Sequence, residues 1–151
     1  MRNPGPSPVW AWTRIGLSIV GLGISFYLTL VHYAHVTLVC PLHGTLIDCA
    51  AVVQSPQSII LGVPIAVWGM VWFVLAAVFA SLALRADPPS WLRPLTLGWS
   101  IVGLLSVLYF LYLELDVIGH LCIWCTTAHV LVLAYFVCAA LAPPGPQHAV
   151  E

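Results

Sequence analysis

The chain is 151 residues long with a formal net charge of −1, and it is 62% hydrophobic against 6% charged, at a mean hydropathy of +1.05. That is far too little charge to cover a water-facing surface, which excludes a soluble globular enzyme and places the chain in lipid. Lysine and arginine together number only 4, so nothing marks a nucleic-acid partner.

A bilayer core requires about 20 apolar residues per helix, and four stretches meet that requirement. The first runs from about Ile15 to Tyr33, inside a segment with no acidic or basic residue between Arg14 and Asp48. Trp10 and Trp12 before it read as interfacial anchors, and no small-x-small cleavage site follows, so it is expected to be a retained span. The second runs from about Ile59 to Leu84 and is closed by Arg85. Past the turn-rich Asp87-Pro88-Pro89-Ser90, the third runs from about Leu95 to Leu113 and ends at Glu114 and Asp116. The fourth starts near Leu121 and stops before Pro143-Pro144-Gly145-Pro146. In hydrocarbon only helices and closed barrels satisfy their own backbone, and continuous apolarity without alternation excludes the barrel. The expected fold is an all-α integral membrane protein, a four-transmembrane-helix bundle with an outer loop bearing a cysteine pair. Residues 15–141 form the membrane domain, between cytoplasmic tails 1–14 and 142–151. The Pro-rich ends, Asn3 to Pro8 and Pro143 to Pro146, read as short disordered segments.

Orientation follows from the arginines. Arg2 and Arg14 precede the first span, Arg85 and Arg93 lie between the second and third, and the other two loops have no Lys or Arg. Positive-inside bias therefore puts both termini in the cytoplasm, in a cell (inner) membrane, with the cysteine-bearing loops on the outer, periplasmic side. Disulfides form and persist in that compartment.

Five cysteines carry the chemistry. Cys122-Ile123-Trp124-Cys125 puts two thiols one helical turn apart at a helix start, where the positive end of the dipole favours the first as a thiolate. Cys122 is expected to be the exposed, exchanging thiol and Cys125 the buried one. A permanent disulfide, half of a zinc site or plain packing are the other readings of the motif. Cys40, Cys49, His35, His43 and His120 are all nominally available to zinc on the same side, but Cys40 and Cys49 lack paired zinc-knuckle spacing, so no metal is expected. Cys40 and Cys49 flank a Gly- and Pro-containing loop that can swing between partners; a disulfide that merely closes this loop is the alternative. Cys138, deep in the fourth span, reads as a buried small hydrophobe.

Cys49-Ala50-Ala51-Val52-Val53-Gln54-Ser55, then Leu61-Gly62-Val63-Pro64-Ile65-Ala66-Val67-Trp68-Gly69, then Cys122-Ile123-Trp124-Cys125 heading the last helix, resemble the bacterial branch of the vitamin K epoxide reductase family. The resemblance covers nearly the whole chain. It implies a four-helix bundle around a quinone of the menaquinone, ubiquinone or vitamin K type, a thioredoxin-like partner, and electrons that pass from that partner to the quinone. Carried over, Cys40 accepts attack from the partner, Cys49 exchanges with Cys122, Cys125 faces the quinone, and Ser55 hydrogen-bonds at the quinone site. Two features depart from the pattern. Many bacterial members carry a fused thioredoxin-like domain; here a Pro-rich tail ends at Glu151, so the partner is expected to be a separate protein. His129 stands where vertebrate members have a tyrosine, and is a second candidate at the quinone site.

Trp68, inside the second span, is a candidate wall of the quinone pocket. Glu114 and Asp116 end the third span near the Cys122 motif, where a carboxylate could accept protons released as thiols oxidise, but they read as markers of the water interface; His32 and His35 read as interfacial, and Asp48 as a weak electrostatic neighbour of Cys49. Gly16, Gly21, Gly23, Gly69, Gly98 and Gly103 are expected to allow close helix packing. The alternatives in function are an epoxide-type reductase and a metal-binding or transport protein that uses Cys and His ligands. A third is the unrelated four-helix disulfide-generating family, in which the order of motif and loop pair is reversed.

Overall fold

The computed structural model describes residues 8–34, 36–42 and 44–143. Arg2, His35, His43 and most of both Pro-rich ends lie outside the described residues.

Four helices among the described residues are long and apolar enough to cross a membrane. Helix α1 spans Pro8–Ala34, α3 Ile65–Leu82, α4 Leu92–Tyr112 and α5 Ile123–Leu141, while a short α2, Cys49–Val53, lies in the loop after α1. Each pair of ring neighbours packs together in the cyclic order α1, α3, α4, α5 and back to α1. Two boundaries differ from apolarity alone. The apolar residues Ile59 to Pro64 do not extend α3 but fold into a two-stranded hairpin, β1 (Ile59–Ile60) against β2 (Val63–Pro64), turned at Leu61 and Gly62 with positive φ. A proline at the helix N-cap position then starts α3. At the other boundary, α1 begins at Pro8 rather than near Ile15, so Arg14 lies within the helix at 6% exposure instead of flanking it. Its guanidinium sits 5.9 Å from the centre of the Tyr135 ring, and its Nε donates to the Trp10 carbonyl at 3.3 Å. A cation over an aromatic face retains part of the stabilisation that water would give it.

In lipid the hydrophobic effect does not drive helices together, so packing and interhelical hydrogen bonds must. The middle of the bundle uses both. The Trp72 indole donates to the Trp99 carbonyl at 3.3 Å and the Trp99 indole to the Trp72 carbonyl at 3.2 Å, a reciprocal tie between α3 and α4. Tyr135, fully buried on α5, donates to the Ala76 carbonyl on α3 at 2.9 Å. Trp72, Phe73, Ala76, Val107, Val132, Tyr135 and Ala139 form one core cluster around these bonds.

Of the glycines expected to allow close packing, Gly21, Gly69 and Gly103 face neighbouring side chains. Gly16, Gly23 and Gly98 have nothing within 4 Å of where a Cβ would stand, because they lie on the outward faces of their helices. At Gly103 a Cβ would lie 2.5 Å from the Trp72 ring, which the reciprocal indole bonds hold in place. Gly103→Val should therefore lower stability by about 1–3 kcal/mol through overpacking. Gly98→Val, on the open face, should cost less than half as much, and thermal unfolding of the two variants in one detergent makes the comparison.

Candidate functional site: a roofed dithiol above an apolar cavity

The site begins with a backbone strap. Leu121 N–H donates to the Leu46 carbonyl at 2.7 Å and Asp48 N–H to the Leu121 carbonyl at 3.1 Å, so the loop after α1 pairs with the residue just before the Cys122 motif. Asp48 then caps α2, its Oδ1 accepting from the Ala50 and Ala51 N–H groups at 3.0 Å each. Asp48 thus has a structural part as a helix cap beside its place next to Cys49 in the chain. The cap sets Cys49 at the first position of a helix, 1% exposed, instead of on a free loop. Farther out, the Trp124 indole donates to the Val39 carbonyl at 2.8 Å and Val39 N–H donates to the Tyr27 hydroxyl at 3.0 Å, with the two rings edge to face. Residue 39 is thus held at both polar groups, immediately before Cys40.

Cys40 and Cys49 are joined in a disulfide, and Cys122, Cys125 and Cys138 are free. The loop pair and the motif are stacked, since Cys49, Val52, Val53 and Cys122 share one buried cluster with Ile24, Leu28 and Val31. Cys122 is 0% exposed, which corrects the expectation that it is the open thiol of its pair. The strap lays α2 over it, whereas Cys125, one turn further along, keeps surface that opens on a cavity. Cys122 also caps α5, its Sγ accepting from Cys125 N–H at 3.5 Å. Hydrogen bonding from the Cys125 side chain holds the Cys122 thiol below the ordinary cysteine range, against the opposing effect of burial. Cys138 is only partly buried.

The cavity measures about 340 Å³ and lies within the bundle. Its lining is mostly apolar and includes Trp68, Trp72 and Val132, with Ser55, Cys125 and His129 as polar or sulfur groups. Ser55 is 8% exposed and spends its proton on the Val52 carbonyl at 2.9 Å, so its oxygen remains an acceptor. His129 stacks on Phe110 at 6.2 Å and has a buried Nδ1 with no hydrogen-bond partner. Trp68 is 44% exposed and turns its indole N–H to the Ile60 carbonyl at 3.4 Å, which joins the cavity wall to the hairpin. His32, read as interfacial, also lines the cavity.

The structure reverses the reading of Glu114. Instead of marking the water interface it is 4% exposed, and its Oε2 accepts from Cys122 N–H at 3.4 Å. The cause is a π-helical turn, Leu113–Ile118, that continues α4 and ends at Gly119 with φ 77°. The signal in the sequence was the separation of Glu114 from Cys122, but spacing does not reveal a wide turn. Asp116, two residues on, is exposed as expected. Among the described residues, no three His, Cys, Asp or Glu side chains converge as metal ligands would.

A dithiol buried in a bundle of membrane-spanning helices, roofed by a second, oxidised cysteine pair, defines an integral membrane protein organised around sulfur chemistry. Residues 12–140 match the sequence model of the Vitamin K epoxide reductase family. The chain belongs to that family and is, at the family level, a redox enzyme. No curated protein matches it.

Because Asp48 anchors the roof, Asp48→Ala should weaken α2 by about 1 kcal/mol. A loss of that size corresponds to roughly fivefold more frequent opening. Labelling of Cys122 by a small maleimide, with the Cys40–Cys49 disulfide intact, should rise by that factor.

Proposed function

We propose that this chain is a quinone-linked thiol–disulfide oxidoreductase that supports disulfide formation outside the cytoplasm. Electrons enter from a thioredoxin-like protein, cross Cys40–Cys49 and Cys122–Cys125, and leave on a quinone of the menaquinone, ubiquinone or vitamin K type. The observation that carries this reading is that one motif cysteine, Cys122, packs with Cys49 while the other, Cys125, lines the cavity.

Each step is thiolate attack on a disulfide. A partner thiolate attacks Cys40, the partly exposed member of its pair, and the partner's second thiol resolves the mixed disulfide, leaving Cys40 and Cys49 reduced. Cys49 then attacks Cys122 of an oxidised motif, releasing Cys125 as the leaving thiolate. Cys40 next attacks Cys49, which restores the loop disulfide and frees Cys122. Two electrons have now moved inward, and the pattern of one loop disulfide above a free Cys122 and Cys125 is the state reached at this point. The low-lying Cys122 thiol suits it to leave in this last exchange.

The cavity fits a quinone ring on two counts. Its walls are apolar, and its polar lining includes His129, together with a Ser55 oxygen free to accept from the O–H of the quinol form. When bound, a quinone supplies a two-electron, two-proton acceptor. His129 would donate to a quinone oxygen, Ser55 would accept from the O–H of the quinol form, Trp68 and Trp72 would hold the ring, and Cys125 would face it. Positive-inside bias supports the expected orientation, with termini and the Arg85–Arg93 loop cytoplasmic and both cysteine pairs outside.

Purified protein in detergent, mixed with a reduced thioredoxin-like protein and a quinone, should consume quinone absorbance. Cys122→Ala and Cys125→Ala should each abolish it, and Cys125→Ser should accumulate a Cys49–Cys122 disulfide in peptides mapped without reduction. Loss of quinone absorbance that persists in either alanine variant would remove the motif from the electron path. On intact cells, a membrane-impermeant thiol reagent applied after reduction should label Cys40 and Cys49; labelling only after the membrane is broken would reverse the orientation.

A further inference from the structure

Glu114 is the one acidic side chain among the described residues that is buried, and no basic side chain there pairs with it. Taking a carboxylate out of water without a counter-charge costs several kcal/mol, so its position calls for an account. Its surroundings are specific. It accepts from Cys122 N–H at 3.4 Å, it neighbours the Cys125 thiol, and it lines the same cavity as Cys125 and His129. A π-helical turn, a feature often found at functional sites, is what brings it there. No other acidic residue of the region is free for the task, because Asp48 is committed to capping α2 and Asp116 is exposed.

We propose that Glu114 is the proton acceptor for oxidation of the Cys122–Cys125 dithiol, relaying the thiol protons into the cavity toward His129. This rests on the quinone-linked reading above. Oxidation of the motif breaks two S–H bonds, forms one S–S bond, and releases two electrons and two protons, and the quinone takes up all four to leave as quinol. Within the protein, the Cys125 proton passes to the Glu114 carboxylate as the thiolate forms. The resulting carboxylic acid gives the proton up to the cavity and is again a carboxylate, ready for the proton of Cys122. The positions fit this order, since the carboxylate touches the motif on one side and the cavity on the other. Of the ionisable groups, Cys122 caps α5, Cys125 and His129 lie on it and share the cavity with Glu114 and with His32 of α1, His120 N–H donates to the Glu114 carbonyl, and Asp116 follows two residues on.

The test uses Glu114→Gln, which keeps an oxygen for the Cys122 N–H, and Glu114→Asp, which restores the charge. Two readouts should move in opposite directions. Single-turnover oxidation of the reduced motif by a water-soluble quinone should slow by on the order of 10²-fold in Glu114→Gln and recover in part in Glu114→Asp. Alkylation of Cys122, followed against pH by peptide mapping with no quinone present, should shift to lower pH in Glu114→Gln, because the carboxylate's charge opposes ionisation of that thiol. Unchanged oxidation in Glu114→Gln overturns the proposal while leaving the quinone reading intact. Slowing of both readouts, with no recovery in Glu114→Asp, reduces Glu114 to a structural part and also overturns it. A wild-type protein that consumes no quinone at all brings down the quinone reading, and this proposal with it.

Discussion

The two backbone hydrogen bonds that tie Leu46 and Asp48 to Leu121 are the constraint on which the site depends. They join a loop between α1 and α3 to the residue that precedes the Cys122 motif, across more than seventy residues of sequence. Without this pairing α2 would have nothing to lie against, Cys49 would be a loop thiol in water, and Cys122 would be the exposed head of a helix. With it, the two cysteine pairs are stacked, and water is kept from the space between them. Burial at this point lets short-range hydrogen bonds, such as that between Cys125 and Cys122, act on the Cys122 thiol with little screening.

Below the strap the bundle meets a conflict between tightness and space. A cavity large enough for an aromatic ring must be kept open among helices that have no hydrophobic drive to associate. The reciprocal indole bonds of Trp72 and Trp99 and the Tyr135 bond to Ala76 meet it by fixing helix separations through directional contacts. Gly21 and Gly103 let α1 and α4 approach the large rings of α3, so volume is concentrated in a few aromatic residues and the remainder stays empty. The same rings serve as lining, since Trp72 belongs to both the core cluster and the cavity wall.

Polar groups in such a bundle are few, and each has a local reason. Arg14 finds the Tyr135 ring and a carbonyl, Ser18 and Thr96 bond back to the carbonyl four residues earlier, and Asp48 caps a helix. Glu114 and His129 stand apart because one accepts from the Cys122 N–H and both line the cavity.

Much of this protein was legible in its residues. Composition placed it in lipid, run lengths gave four spans, and the spacing of Cys122 and Cys125 marked a helix-start dithiol, because these depend on chemistry close in the chain. The motifs around Cys49, Pro64 and Cys122 also pointed to the family. Helix ends were less legible: hydropathy does not distinguish the Ile59–Pro64 hairpin from a helical turn, and it stops at Arg14 although the helix does not. Which thiol is covered, which carboxylate is buried and which glycines touch a neighbour were decided by tertiary structure alone. Each depends on what another segment brings to that point. The strap at Leu121 and the π-helical turn at Glu114 are long-range and geometric events, with no trace in local composition.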